Sequence, residues 1–124
     1  MDTGDQTLIY REPPDPVSAQ GPLRLFYRDA QRQVYPGDTP LVVGRGAGCA
    51  LAVETAYASR RHCTIEHRQD KYLLVDHSTN GTWLQLGLAV PIHVHNEAVP
   101  LAGSGSFRLG RASGEEGELI LFKL

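Results

Sequence analysis

From Leu23 onward apolar and polar residues alternate with a period of two. Leu23, Leu25 and Tyr27 face one way, and Arg24, Phe26 and Arg28 the other, as a half-buried strand requires. Asp29-Ala30 reads as a tight turn into a second strand over 31–35, and Pro36-Gly37-Asp38 closes this hairpin. Leu41-Val42-Val43 is a short apolar run that predicts a fully buried strand ending at Gly44. Cys49, Leu51 and Val53 alternate with Ala50, Ala52 and Glu54, and His62, Thr64 and Glu66 alternate with Cys63 and Ile65. A strand over 71–76 follows a Gln69-Asp70 turn, and strands over 82–86, 90–94, 107–111 and 119–124 complete the set. Glycines and Asn96 mark the turns between them, and no stretch sustains a period of 3.6. Short strands at this spacing predict an all-β sandwich or barrel.

The first 21 residues follow a different rule. They carry Pro13, Pro14, Pro16, Gly21 and acidic side chains, with only Leu8-Ile9-Tyr10 apolar. That composition predicts a flexible, proline-rich arm over 1–21, in which Leu8–Tyr10 is long enough for at most a brief strand, and a folded domain over 22–124.

Composition narrows the class. A chain of 124 residues with 41% hydrophobic and 21% charged content is an ordinary soluble domain with one core. A net charge of −2 argues against general nucleic-acid binding, so any anion site has to be built locally. No run is long enough to span a bilayer, and the acidic start Met1-Asp2-Thr3-Gly4-Asp5 is unlike a signal peptide. A cytoplasmic location without membrane contact is therefore expected. Two cysteines are too few for a disulfide framework, and Cys49 and Cys63 stand at apolar positions of alternating runs, so both are expected as buried thiols.

Candidate chemistry gathers between Gly44 and Trp83. Gly44-Arg45 opens this stretch, Ser59-Arg60-Arg61-His62 sits mid-way, and Ser78-Thr79-Asn80-Gly81-Thr82 closes it, each where an apolar run stops or starts. Arginine forks with hydroxyl and backbone N–H donors suit a tetrahedral phosphate oxyanion. No acidic residue lies between Thr55 and Cys63, so arginines brought together here would repel one another without a counter-anion. Asparagine before glycine suits a hairpin turn, and its amide can also grip a peptide main chain.

At these residues the chain resembles the forkhead-associated (FHA) domains, which bind phosphothreonine in other proteins. The family signature is Gly-Arg, then Ser-Arg-x-His, then Asn-Gly-Thr, and all three stand here in order. The resemblance covers residues 23–124 and implies an FHA-type twisted β-sandwich of about eleven short strands. It implies that Arg45, Ser59 and Arg60 take the phosphate, with Arg61 peripheral. Thr79 and Asn80 would grip the peptide backbone, while Gly44, His62 and Gly81 support the loops. Tyr57, two before the binding serine, would help choose the side chain three after the phosphothreonine. With no cation in its neighbourhood of Ala56 and Ala58, apolar residues are expected there. Threonine is preferred over serine in the family because its methyl makes an apolar contact.

The expected partner is a phosphothreonine-containing protein in a Ser/Thr-kinase pathway; Thr3 and Thr7 make the chain's own arm, or that of a second copy, one such ligand. The run 100–110 and the ending 118–122 look more particularly like FHA modules attached to bacterial class III nucleotide cyclases. One departure stands out: the family usually has Asp or Asn after the position of Cys49, where this chain has Ala50, which predicts a looser Arg45 loop. The alternative reading is an FHA fold that binds an unphosphorylated partner as a structural or regulatory module.

Enzymatic and metal readings are weaker. Ser59, His62 and Asp76 could be written as a triad, but order in sequence places neither base nor orienting group. Gly44-Arg45-Gly46-Ala47-Gly48 after a strand would need a helix and a parallel βαβ unit to hold a dinucleotide, and strand pattern follows instead. His93 and His95 share a strand face without a third ligand at metal spacing. No catalysis, cofactor or metal is expected.

Overall fold

The computed structural model describes residues 21–124, so the arm expected over 1–21, its Leu8–Tyr10 run and its threonines lie, Gly21 apart, outside the described residues. Eleven strands are present among those described: β1 Leu23–Tyr27, β2 Ala30–Val34, β3 Leu41–Gly44, β4 Leu51–Ala52, β5 Cys63–Arg68 and β6 Lys71–Asp76, then β7 Thr82–Leu86, β8 Ile92–Val94, β9 Ala98–Pro100, β10 Ser104–Leu109 and β11 Ile120–Lys123. They form two sheets, ordered β9-β6-β5-β3-β4 and β2-β1-β11-β10-β7-β8. The strand count and the sandwich match the all-β expectation. All neighbours are antiparallel except β3 and β4, which run parallel through only Val43↔Leu51 and Gly44↔Ala52.

The period-two pattern works because one face of each strand must leave water. Leu23, Leu25, Leu84, Phe107, Ile120 and Phe122 from one sheet meet Val43, Ile65, Tyr72 and Leu74 from the other in a single core. Burying each such large side chain contributes roughly 1.5–3 kcal/mol before entropy is counted. The one polar group of this set, the Tyr72 hydroxyl, donates to the carbonyls of Val34 and Gly21 at 3.0 and 2.9 Å.

Several expected boundaries move. The first turn is Arg28-Asp29, with Arg28 at φ 54°, and Ala30 already pairs with Tyr27. Only Leu51 and Ala52 of the 49–54 run are strand; Val53 is buried without being paired in a ladder, so its alternation reported burial and not a strand. β8 begins at Ile92, because Pro91 has no N–H to give. The polar Ser104-Gly105-Ser106 belongs to β10, held by pairing on both sides. β9 was not expected at all; its Pro100 is tolerable because β9 is an edge strand. Cys63 is fully buried, which pushes its thiol pKa well up, whereas Cys49 is only half-buried.

Candidate functional site

Strand register brings the motifs together. Val43, Cys63 and Asp76 form one row across β3, β5 and β6. The chain therefore leaves β3 at Gly44, enters β5 after His62 and leaves β6 before His77 at one end of the sandwich.

The close approach of the first two segments needs a glycine. A Cβ on Gly44 would lie 2.2 Å from the Arg60 carbonyl oxygen and 2.7 Å from the His62 nitrogen. With that space open, Arg45 N–H donates to the Ser59 carbonyl at 2.9 Å and Gly46 N–H to that of Arg60 at 3.0 Å. Arg45 Nε donates to the Ala58 carbonyl at 3.0 Å, and no described residue takes its terminal NH2 groups. The Cys49 thiol also reaches the Arg60 carbonyl, at 2.9 Å. The loop that Ala50 was expected to leave loose is thus tied down by bonds from Arg45, Gly46 and Cys49.

His62 is completely buried. Its Nδ1 accepts from the Ser59 N–H at 2.9 Å, so its proton sits on Nε2 and is donated to the Gly81 carbonyl at 2.8 Å. Burial lowers its pKa; the Gly81 bond and the Asp76 charge oppose this without reversing it. Both ring nitrogens are thereby spent on backbone. Asp76 Oδ1 stands 3.8 Å from Nε2, and the Ser59 hydroxyl accepts instead from Thr79 N–H at 3.3 Å. No Ser–His–Asp relay is assembled. The Ser59 O–H remains free to donate outward.

The third segment hangs on Asp76, which is 2% exposed. Its carboxylate accepts from the Ser78 and Thr82 hydroxyls, both at 2.7 Å, and from the Ser78 and Asn96 N–H groups at 3.1 and 2.9 Å. Burial alone would raise its pKa, but these donors hold it below the usual carboxylate range. The Ser78 hydroxyl in turn accepts from Gly81 N–H at 2.7 Å. Asn80-Gly81 is not a hairpin turn, as its dipeptide suggests: β6 and β7 belong to different sheets, and the segment crosses between them. Gly81 has φ +87°, and a Cβ there would meet His93 Nε2 at 2.1 Å. That His93 ring stacks on Trp83, 4.5 Å between centroids, and its Nε2 lies 3.1 Å from the Asn80 carbonyl. It is occupied in holding this loop, and no cluster of three metal-binding side chains occurs among the described residues.

The result is one exposed end that carries Arg45, Ser59, Arg60, Thr79 and Asn80. The side chains of Arg60, Arg61 and Asn80 make no hydrogen bond or ion pair to any described residue, and no carboxylate among the described residues pairs with Arg45. Tyr57 lies at the margin, 46% exposed. The absence of a cation beside it, expected from its neighbours in sequence, is corrected: Arg111 lies 4.0 Å over its ring and is itself held by Glu118 at 2.7 and 3.1 Å. Arg111 arrives through Gly110, whose φ of +88° and clash-free approach to the Tyr57 carbonyl no side chain would permit. Fifty-odd residues separate Tyr57 from Arg111, so local sequence gave no signal of this contact. The supporting roles of Asp76 and Ser78 were likewise not anticipated, although Asp-x-Ser at a strand end is a usable sign of a side chain folding back on its own backbone.

Residues 41–101 match the FHA domain family, and they contain all three motif segments of the site. The chain carries an FHA domain. Solved structures of this fold surround it: the FHA-1 domain of Mycobacterium tuberculosis Rv1747 superposes with a TM-score of 0.66 at 23% identity, covering 84% of this chain and 96% of that one. The N-terminal FHA domain of S. cerevisiae Rad53p, solved with a phosphothreonine peptide, gives 0.63 at 19% identity, covering 82% and 90%. The FhaA FHA domain, solved with the intracellular domain of Rv3910, gives 0.60 at 25% identity, covering 82% and 99%. No curated protein matches the chain. No helix among the described residues is long and apolar enough to cross a membrane.

Proposed function

We propose that this domain binds phosphothreonine peptides and so mediates phosphorylation-dependent protein association, without catalysis. Arg45, Ser59 and Arg60 take the phosphate; Thr79 and Asn80 hold the peptide main chain; Gly44, His62 and Gly81 keep the loops in place. The observation that carries this reading is the convergence of free guanidinium and hydroxyl donors at one exposed end. Their supporting atoms are already hydrogen-bonded inward, so these donors need little reorganisation to meet an oxyanion. The Rad53p domain of the same fold is solved with a ligand of this class. The partner would be a threonine-phosphorylated protein of a Ser/Thr-kinase pathway, and the C-terminal likeness to cyclase-attached modules makes a nucleotide cyclase one candidate neighbour.

Calorimetric titration with a phosphothreonine peptide library and its dephosphorylated twin tests the reading. Binding is expected only for the phosphorylated pool, weakened by roughly 10- to 100-fold in Arg45→Ala, since a charge-assisted contact contributes about 1.5–3 kcal/mol. Equal binding of both pools would instead establish recognition of an unphosphorylated surface.

A further inference from the structure

The outer face of the six-stranded sheet carries a second surface, at the opposite end from Arg45. Phe26 and Leu121 pair across β1 and β11, and Leu121 is 47% exposed although it sits in mid-sheet. Beside them β10 presents only Ser104 and Ser106, while Phe122 packs against the bare backbone of Gly105 from within. The deficit of bulk leaves an apolar groove of about 460 Å³ whose far wall is the wholly exposed Leu88. A second hollow of about 310 Å³ shares Phe26 and Leu121. A cleft of this size and polarity is of the kind that takes an apolar ligand.

Charge and chain position choose the occupant. Arg24 and Lys123 pair across β1 and β11 at the groove's rim, and neither makes an ion pair with a described residue. A second copy would bring the same cations against them. Residues 1–20, by contrast, hold four acidic side chains (Asp2, Asp5, Glu12, Asp15) against one basic, Arg11, and one apolar run, Leu8-Ile9-Tyr10. The described chain begins at Gly21, three residues before Arg24, and so enters the sheet at the groove's own end. Ten residues, 11–20, then separate Tyr10 from Gly21, enough for roughly 30 Å of proline-rich chain. The groove begins within about 15 Å of that entry, judged from strand rise and spacing.

We propose that Leu8-Ile9-Tyr10 of this same chain docks in the Phe26–Leu121 groove, with its flanking carboxylates beside Arg24 and Lys123. Backbone-amide NMR of the full chain tests it, comparing the parent with a Leu8→Ser, Ile9→Ser, Tyr10→Ser variant. Shift changes are expected at Leu88, Ser104, Ser106, Leu121 and Lys123, unchanged on dilution, and absent when the comparison is repeated in a Leu121→Ser background. Trypsin should cut after Arg11 several-fold faster in the triple variant than in the parent. Shifts that vanish on dilution would mean that the run binds a second chain, and would overturn the intramolecular assignment. No shifts, or the same shifts in the Leu121→Ser background, would overturn the site. The groove lies away from the phosphate end, so these outcomes are independent of phosphopeptide binding.

Discussion

His62 donates its Nε2–H to the Gly81 carbonyl at 2.8 Å, and this bond joins the segment entering β5 in one sheet to the segment entering β7 in the other. Since Nδ1 accepts from Ser59 N–H, the same ring sets the loop that carries Ser59 and Arg60 relative to the loop that carries Asn80. A protonated imidazole has no lone pair for that Ser59 N–H.

Acid should therefore undo the site before it unfolds the protein by other routes. The folded state holds the His62 pKa below its ordinary value, chiefly by burial. The unfolded chain consequently binds the proton more readily, and the stability that neutral His62 contributes is complete above about pH 6.5 and lost as pH falls towards the folded pKa. Chemical denaturation from pH 8 to 5 should show a stability decline that His62→Gln flattens. A decline of the same size in His62→Gln would assign it elsewhere.

Asp76 gives a second, lower transition. Its folded pKa is depressed by the Asn96, Ser78 and Thr82 donors despite burial, so its contribution is present above about pH 4 and lost below it. Asp76→Ala strands the buried Ser78 N–H, the part-buried Asn96 N–H and two buried hydroxyls, and is expected to cost on the order of 3 kcal/mol of unfolding free energy. An urea titration with a loss under about 1 kcal/mol would show that these donors find other partners.

The fold was legible because its information is local: Leu23/Leu25/Tyr27, the Leu41–Val43 run and the Gln69-Asp70 turn each state their structure within a few residues. The three segments of the candidate site stand out by motif, and the family match spans them. What escaped depended on pairing partners distant in sequence. β4 is two residues long because β3 offers it only Val43 and Gly44, and Ser104-Gly105-Ser106 is strand only because β7 and β11 flank it. Asn80-Gly81 misled for the same reason, since a dipeptide cannot say whether the next strand returns to its own sheet. The arginine over Tyr57 comes from 54 positions downstream.

Gly44 should be as intolerant as the arginines while doing no chemistry. A Cβ there would overlap the Arg60 carbonyl, which is backbone and also receives Gly46 N–H and the Cys49 thiol, so it has no easy route of retreat. Gly44→Ala is expected to lower phosphopeptide affinity at least tenfold and to reduce the melting temperature by several degrees. Gly48→Ala, where a Cβ meets nothing within 4 Å, is the control and should leave both unchanged. If the two variants behaved alike, the loop would be freer than its hydrogen bonds indicate.

On the reading that Tyr57 faces the peptide residue three after the phosphothreonine, selection there depends on how Arg111 is used. The guanidinium covers one face of the ring, and Glu118 holds it in a two-bond clasp, so its charge is already matched. A ligand carboxylate would have to displace Glu118, and an apolar side chain would simply cover the remaining ring surface. The parent domain is therefore expected to prefer apolar residues three after the phosphothreonine. Glu118→Gln keeps the shape but frees the charge, and should raise acceptance of aspartate and glutamate there by roughly threefold or more, an effect that added salt screens. Arg111→Ala in the same background should return the preference to apolar. Degenerate phosphopeptide arrays on the three proteins give the answer: an acidic preference already present in the parent, or one that survives loss of Arg111, would place the selecting group elsewhere on the rim.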